Sequence, residues 1–178
     1  MALTIAQSYA WCRRVARARA RNFYYSFVLL DEAQRDAMCA VYAFMRQCDD
    51  LSDDPATADA GASLEAWRRE LDRALAGDFG EHPAWPALNH AVRRYGIPPE
   101  YLHVMIDGVS SDIGARRMAT FDELYRYCYQ VASVVGLTVI HIFGFHSEQA
   151  PPLAEKCGVA FQLTNILRDV KEDLGLGR

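Results

Sequence analysis

The stretch Tyr42-Ala43-Phe44-Met45-Arg46-Gln47-Cys48-Asp49-Asp50-Leu51-Ser52-Asp53-Asp54 decides how this chain is read. Tyr42, Phe44 and Cys48 mark an apolar helix and not a surface one. Asp49 and Asp53 are four residues apart, and so are Asp50 and Asp54. On a helix such pairs differ by only about 40° in direction and share a face. Like charges at that spacing repel by a few tenths of a kcal/mol. One reading is a solvated acidic helix end. The other is a site for Mg²⁺, a hard cation that takes one or two carboxylates and completes its shell with water and phosphate oxygens. Arg46, three residues before Asp49, sets a cation beside the carboxylates, which suits a phosphate bound together with its metal.

A second stretch repeats the pattern. In Gln162-Leu-Thr-Asn165-Ile-Leu-Arg168-Asp169-Val-Lys-Glu172-Asp173, the residues Asn165, Asp169 and Asp173 form one polar ridge, flanked by Gln162 and Arg168. Leu163, Ile166, Leu167 and Val170 form the opposing apolar stripe. Alone, such a ridge could simply face water. Two helices with the same acid-plus-arginine pattern could instead face each other and hold Mg²⁺ and a diphosphate between them.

Outward from these motifs, strand signals are nearly lacking and seven helices are expected. They run from Thr4 to Arg21, Asp31 to Asp53, Leu64 to Ala76, Pro83 to Tyr95, Pro98-Pro99 to Asp112, Thr120 to Phe145 and Pro151 to Asp173. Ser63 is the expected cap of the third, Gly77 and Gly96 are stops, and Thr120 with Glu123 matches a capping box. No repeat or internal boundary breaks the chain, so residues 1–178 are expected to form one all-α domain.

Composition narrows the function. The 178 residues are 51% hydrophobic and 24% charged, which excludes a disordered tail, a fibre and a disulfide-dense miniprotein. A net charge of −4 calls for no nucleic acid partner. Cys12, Cys39, Cys48, Cys128 and Cys157 are odd in number and scattered, which argues against a zinc site or disulfide framework and for a reducing cytoplasm. Val131 to Phe145 is the most apolar run, but its 15 residues fall short of the ~20 needed to span a bilayer, so it reads as a core helix. Residues 1–21 share with transit peptides only an Arg-rich, acid-free composition. His141 and His146 lie on different faces and are expected to hold no metal. Trp11, Trp67 and Trp85 read as packing, and Asp107, Ser110, Ser111 and Asp112 as a helix-end cap or polar groups near a cavity mouth.

With both Asp motifs in view, the sequence resembles the squalene/phytoene synthase family of head-to-head prenyltransferases. The resemblance extends to Asn22-Phe-Tyr-Tyr-Ser-Phe27 and to Tyr127-Cys-Tyr-Gln-Val-Ala-Ser-Val-Val-Gly136. It implies an isoprenoid-synthase-type helical bundle around a central apolar cavity. It implies Mg²⁺ bound by Asp49 and Asp53 from one wall and by Asn165, Asp169 and Asp173 from the other. Arg46, Gln162, Arg168 and Tyr42 would contact diphosphate, with a further contact from Arg19, Ala20, Arg21 and Asn22. Phe23 and Phe27 would line the prenyl channel, and Tyr127 would stand near the reacting carbons. Where many relatives carry small hydroxyl residues, this chain has Ala20 and Asn22; Asn22 keeps a donor, and Ala20 offers only its backbone.

The implied reaction joins two farnesyl diphosphates, giving presqualene diphosphate or squalene, or two geranylgeranyl diphosphates, giving phytoene. NADPH enters only if squalene is the product. Catalysis would rest on Tyr127, Asp49, Asp53 and Asp169. The implied setting is cytoplasmic, with peripheral membrane association for product release. Family members continue with helices that close the cavity, so residues 1–178 by themselves are expected to turn over little, unless a partner replaces those helices. The contrasting expectation is a non-catalytic helical member that acts as an assembly module; the intact paired acids favour the enzyme.

Overall fold

A computed structural model describes residues 3–20, 22–53, 59–113 and 117–176. Arg21 and Asp54 lie outside these residues, as do the side chains of Asn22 and Asp173. The described residues form helices α1 (Ile5–Arg19), α2 (Asn22–Val28), α3 (Glu32–Asp53), α4 (Ala60–Leu75), α5 (Trp85–Tyr95), α6 (Pro99–Ser111), α7 (Phe121–Cys128), α8 (Val134–Phe143) and α9 (Ala150–Leu176). A π-helical turn, Tyr129–Ser133, joins α7 to α8.

Several boundaries follow the sequence signals. Thr4 caps α1 in a reciprocal box with Gln7, and Thr120 does the same for α7 with Glu123. Gly96 ends α5 in the left-handed conformation at φ 59°, which glycine adopts without a Cβ penalty. Other boundaries correct the expectation. The third expected helix begins at Ala60 and is capped by Asp59, whose carboxylate accepts the Ala62 N–H at 2.9 Å, while Ser63 lies inside the helix. The helix expected from Pro83 begins at Trp85. The first helix, expected to reach Arg21, ends at Arg19, and between it and the next expected helix the aromatic residues form the additional short α2. The expected helix from Thr120 to Phe145 is interrupted by the π turn, which inserts an extra residue between α7 and α8.

α3 is the central helix and is buried along most of its length. One face carries Ala37, Val41, Phe44 and Cys48 into the larger core, against Leu64, Trp67 and Leu71 of α4, Trp85 and Leu88 of α5, and Leu102 and Ile106 of α6. Trp67 and Trp85 meet with ring centroids 4.0 Å apart, so both act in packing as expected. The other face presents Cys39, Ala40 and Ala43 to Tyr9, Cys12 and Ala16 of α1, where small side chains let the two helices approach closely. Only the last turn of α3 leaves this surround. Among the described residues, no helix is long and apolar enough to cross a membrane.

α9 lies across the π turn, α8 and α7. Its expected apolar stripe is only half covered. Leu163 and Ile166 are half-buried, while Leu167 is 76% and Val170 44% exposed. The C-terminal half of the stripe is thus the more exposed part.

Candidate active site

The end of α3 concentrates negative charge where a helix least favours it. Asp49, Asp50 and Asp53 occupy its last turns, with no basic residue in the last turn. The carbonyl end of a helix carries about half a negative charge, and a charge of the same sign there costs roughly 0.3–1 kcal/mol. A violation of a local rule at three positions marks a site that something else must neutralise.

The three carboxylates are treated differently. Asp50 Oδ1 accepts hydrogen bonds from Arg46 Nε at 2.9 Å and from Arg46 Nη2. The same oxygen accepts Arg19 Nη2, from the last turn of α1, at 2.9 Å. Asp49 meets the edge of Arg46, whose Nη1 stands 3.9 Å from its Oδ2. Burial pushes the Asp49 carboxyl up to about 6; Arg46 opposes the rise, and Asp53, Asp50 and Asp112 add to it by repulsion. Asp112 is the C-cap of α6, so a second helix end directs negative charge at Asp49. Ser111 there bonds its own helix, Oγ to the Gly108 carbonyl at 2.7 Å, as a helix-end role requires. Asp107 departs from the expected cap and instead pairs with Arg68 of α4.

Tyr42, one turn before Arg46, is half-buried, and burial raises its hydroxyl above the usual phenol range, so it remains a donor at neutral pH. Its ring meets buried Phe27 of α2 edge-on, with centroids 6.4 Å apart. Phe23, one turn earlier on the same short helix, is 70% exposed, while Phe27 is buried. Ala20 is buried and acts through its backbone: its N–H caps α1 on the Ala16 carbonyl at 2.8 Å, and its carbonyl accepts the Phe23 N–H at 3.0 Å.

The second motif lies on α9. Gln162 and Asn165 are half-buried and linked, Asn165 Nδ2 to Gln162 Oε1 at 3.4 Å. Arg168 grips Asp169 in a two-pronged pair, Nε to Oδ1 and Nη2 to Oδ2, both 2.7 Å. Those hydrogen bonds hold the Asp169 carboxyl below the usual carboxylate range. Asp173 follows one turn later on α9. α8 packs against both α3 and α9, so one helix supports the two motif-bearing helices.

Tyr127 is half-buried near the end of α7, immediately before the π turn. That turn is held by close backbone contacts on two sides. A Cβ on Gly108 of α6 would meet the Gln130 carbonyl oxygen at 2.9 Å, and one on Gly158 of α9 would meet Ser133 Cα at 2.4 Å. Buried Ser133 closes the junction by donating Oγ to the Glu155 carbonyl at 2.7 Å. Neither the π turn nor the link from Arg19 to Asp50 follows from periodicity. The Arg46–Asp50 pair was readable, being four residues apart.

Among the described residues, no three His, Cys, Asp or Glu side chains converge into a ready-made metal cage. An arrangement of paired acids beside arginines can seat a cation and a polyphosphate as one unit.

The sequence profile of the squalene/phytoene synthases matches residues 16–178. The chain is 37% identical to the 15-cis-phytoene synthase of Synechococcus elongatus, over 98% of this chain and 61% of that protein. It is 36% identical to the presqualene diphosphate synthase of Zymomonas mobilis, over 92% of this chain and 57% of that protein. Its structure is similar to that of squalene synthase HpnC from Alicyclobacillus acidocaldarius, with a TM-score of 0.88 and 32% identity over 98% of this chain and 65% of that one. A ligand-bound dehydrosqualene synthase matches with a TM-score of 0.83 and 32% identity over 98% of this chain and 60% of that one. The chain thus spans about three fifths of the length of the curated relatives it matches.

Proposed function

The chain belongs to the squalene/phytoene synthase family, and on that premise we propose that it carries the diphosphate-binding half of a head-to-head prenyltransferase. The substrates are two allylic diphosphates of the farnesyl or geranylgeranyl class, the classes implied by the family and by the names of its relatives. The observation that carries this reading is the charge pattern at the end of α3: three acids on an unfavourable helix terminus, one with its carboxyl raised to about 6, beside two arginines.

Asp49 and Asp53 would hold Mg²⁺ from α3, and Asn165, Asp169 and Asp173 would hold it from α9. When bound, Mg²⁺ neutralises diphosphate oxygens and makes diphosphate a better leaving group. Arg46, Arg168 and Gln162 orient the diphosphate and spread the charge it gains as the allylic C–O bond breaks. Arg19, Ala20, Arg21 and Asn22 add further contacts to it. Tyr42 donates from a hydroxyl that stays protonated. The double bond of the second substrate then attacks the allylic carbon, and a proton leaves the product carbon skeleton toward Tyr127 or the released diphosphate. Apolar side chains of the π turn and α8 exclude water, which would trap the cation. The reaction so described takes no hydride donor.

The test is isothermal titration with an uncleavable farnesyl thiodiphosphate, with and without Mg²⁺. Binding that requires Mg²⁺ supports the assignment. Binding that is equal in both conditions removes the metal from it, and no binding in either favours a non-catalytic helical module.

A further inference from the structure

Asp50 stands inside the acidic motif, yet its environment differs from that of a metal ligand. One oxygen, Oδ1, takes N–H groups from both Arg46 and Arg19. These hydrogen bonds keep the Arg46 guanidinium firmly charged. The arginines come from different helices, α3 and the last turn of α1. Without a shared anion, two guanidinium groups this close would repel and splay apart. With it, both are fixed at the edge of the acidic end of α3, next to Asp49.

We propose that Asp50 is a positioning residue: its carboxylate clamps Arg19 and Arg46 together as a preformed pair of cations for the diphosphate, and it does not bind the metal. The inference rests on the function proposed above and assigns a separate task to this acid. Among the described residues, Arg19 Nη2 alone of that guanidinium is taken up by the clamp, and Arg46 Nη1 stands outside it at the looser distance of 3.9 Å from Asp49, so both side chains can turn N–H groups toward phosphate oxygens. The ordering of two long side chains is then complete before the ligand arrives, which is the part of binding that preorganisation saves. Bare charge counting gives the opposite expectation, since deleting a negative charge beside two arginines should strengthen anion binding. The two accounts therefore differ in sign.

The experiment titrates inorganic pyrophosphate into the full chain at saturating Mg²⁺, comparing wild type with Asp50→Asn, Asp50→Glu and Asp49→Asn. Asp50→Asn should bind pyrophosphate about tenfold more weakly, the lower end of the effect of losing a supporting partner. It should keep the wild-type dependence on Mg²⁺ concentration, and Asp50→Glu should recover part of the affinity. Asp49→Asn should lose the Mg²⁺ dependence itself. Unchanged or tighter binding in Asp50→Asn, or loss of its Mg²⁺ dependence, overturns the clamp while leaving the proposed function standing. A wild-type chain with no Mg²⁺-dependent binding overturns the proposed function, and the clamp with it. Should Asp50→Asn fail to fold, nitrogen NMR of the Arg46 Nε–H in the wild type carries the test. The clamp requires that proton to stay protected after pyrophosphate binds; its release on binding overturns the proposal.

Discussion

Gly158 of α9 and Ser133 of the π turn lie so close that a Cβ on Gly158 would stand 2.4 Å from Ser133 Cα. No side chain is involved on either side of that contact, so nothing flexible can move aside. Gly158→Ala should therefore cost about 1–3 kcal/mol of folding stability, as overpacking does. Gly175 lies on the same helix with open space around it. Gly175→Ala should stabilise, by up to about 1 kcal/mol, through helix propensity alone. Urea denaturation of the two variants checks the contrast in sign.

Asp49 gives a second contrast between stability and function. Its carboxyl is raised by burial and by three neighbouring acids, so its ionised form is disfavoured in the fold. Asp49→Asn should leave the melting temperature equal to or above that of the wild type while abolishing Mg²⁺-dependent diphosphate binding. A clear drop in melting temperature would show that Asp49 acts as a structural acid.

The same carboxyl predicts a pH dependence. Its value of about 6 in the fold exceeds the ordinary 3.8. Its contribution to stability is thus full below the ordinary value and is lost as pH rises through about 6. Mg²⁺ needs the ionised form, so metal affinity should run the other way: level above pH 6 and about tenfold weaker per pH unit below it, one proton competing for one site. Titration of Mg²⁺ in two buffers of different ionisation enthalpy at pH 6 should also detect a released proton. Affinity that stays level down to pH 5 contradicts the assignment.

Tyr127 stands half-buried where α7 meets the π turn. Placed near a developing cation, its hydroxyl matters after ionisation and little before it. In the synthase-active protein, Tyr127→Phe should lower kcat and leave KM nearly unchanged. A rise in KM with kcat intact would assign the residue to binding or packing.

The sequence made most of this legible where one helix carried the whole signal. The capping box at Thr120, the glycine stop at Gly96 and the acids on α3 are local patterns, and local patterns survive folding. The expectation failed where tertiary contacts decide. α2 is too short to show a period, and the π turn is fixed by backbone contacts from Gly108 and Gly158. Leu167 and Val170 have an apolar pattern yet remain exposed. At the site, spacing brought out Asp49, Asp53 and Arg46. The clamp from Arg19 joins residues 31 positions apart, beyond the reach of any helical repeat.

In the proposed function, α3 and α9 hold one metal–diphosphate unit between them. The most direct measurement is a double-mutant cycle on Mg²⁺-dependent binding of an uncleavable farnesyl thiodiphosphate, using Asp49→Asn, Asp169→Asn and the pair. If both acids serve one unit, each single substitution removes most of the Mg²⁺-dependent affinity and the double loses little more, a strong departure from additivity. Additive losses, or full affinity in either single variant, would mean that the two helices do not share a ligand.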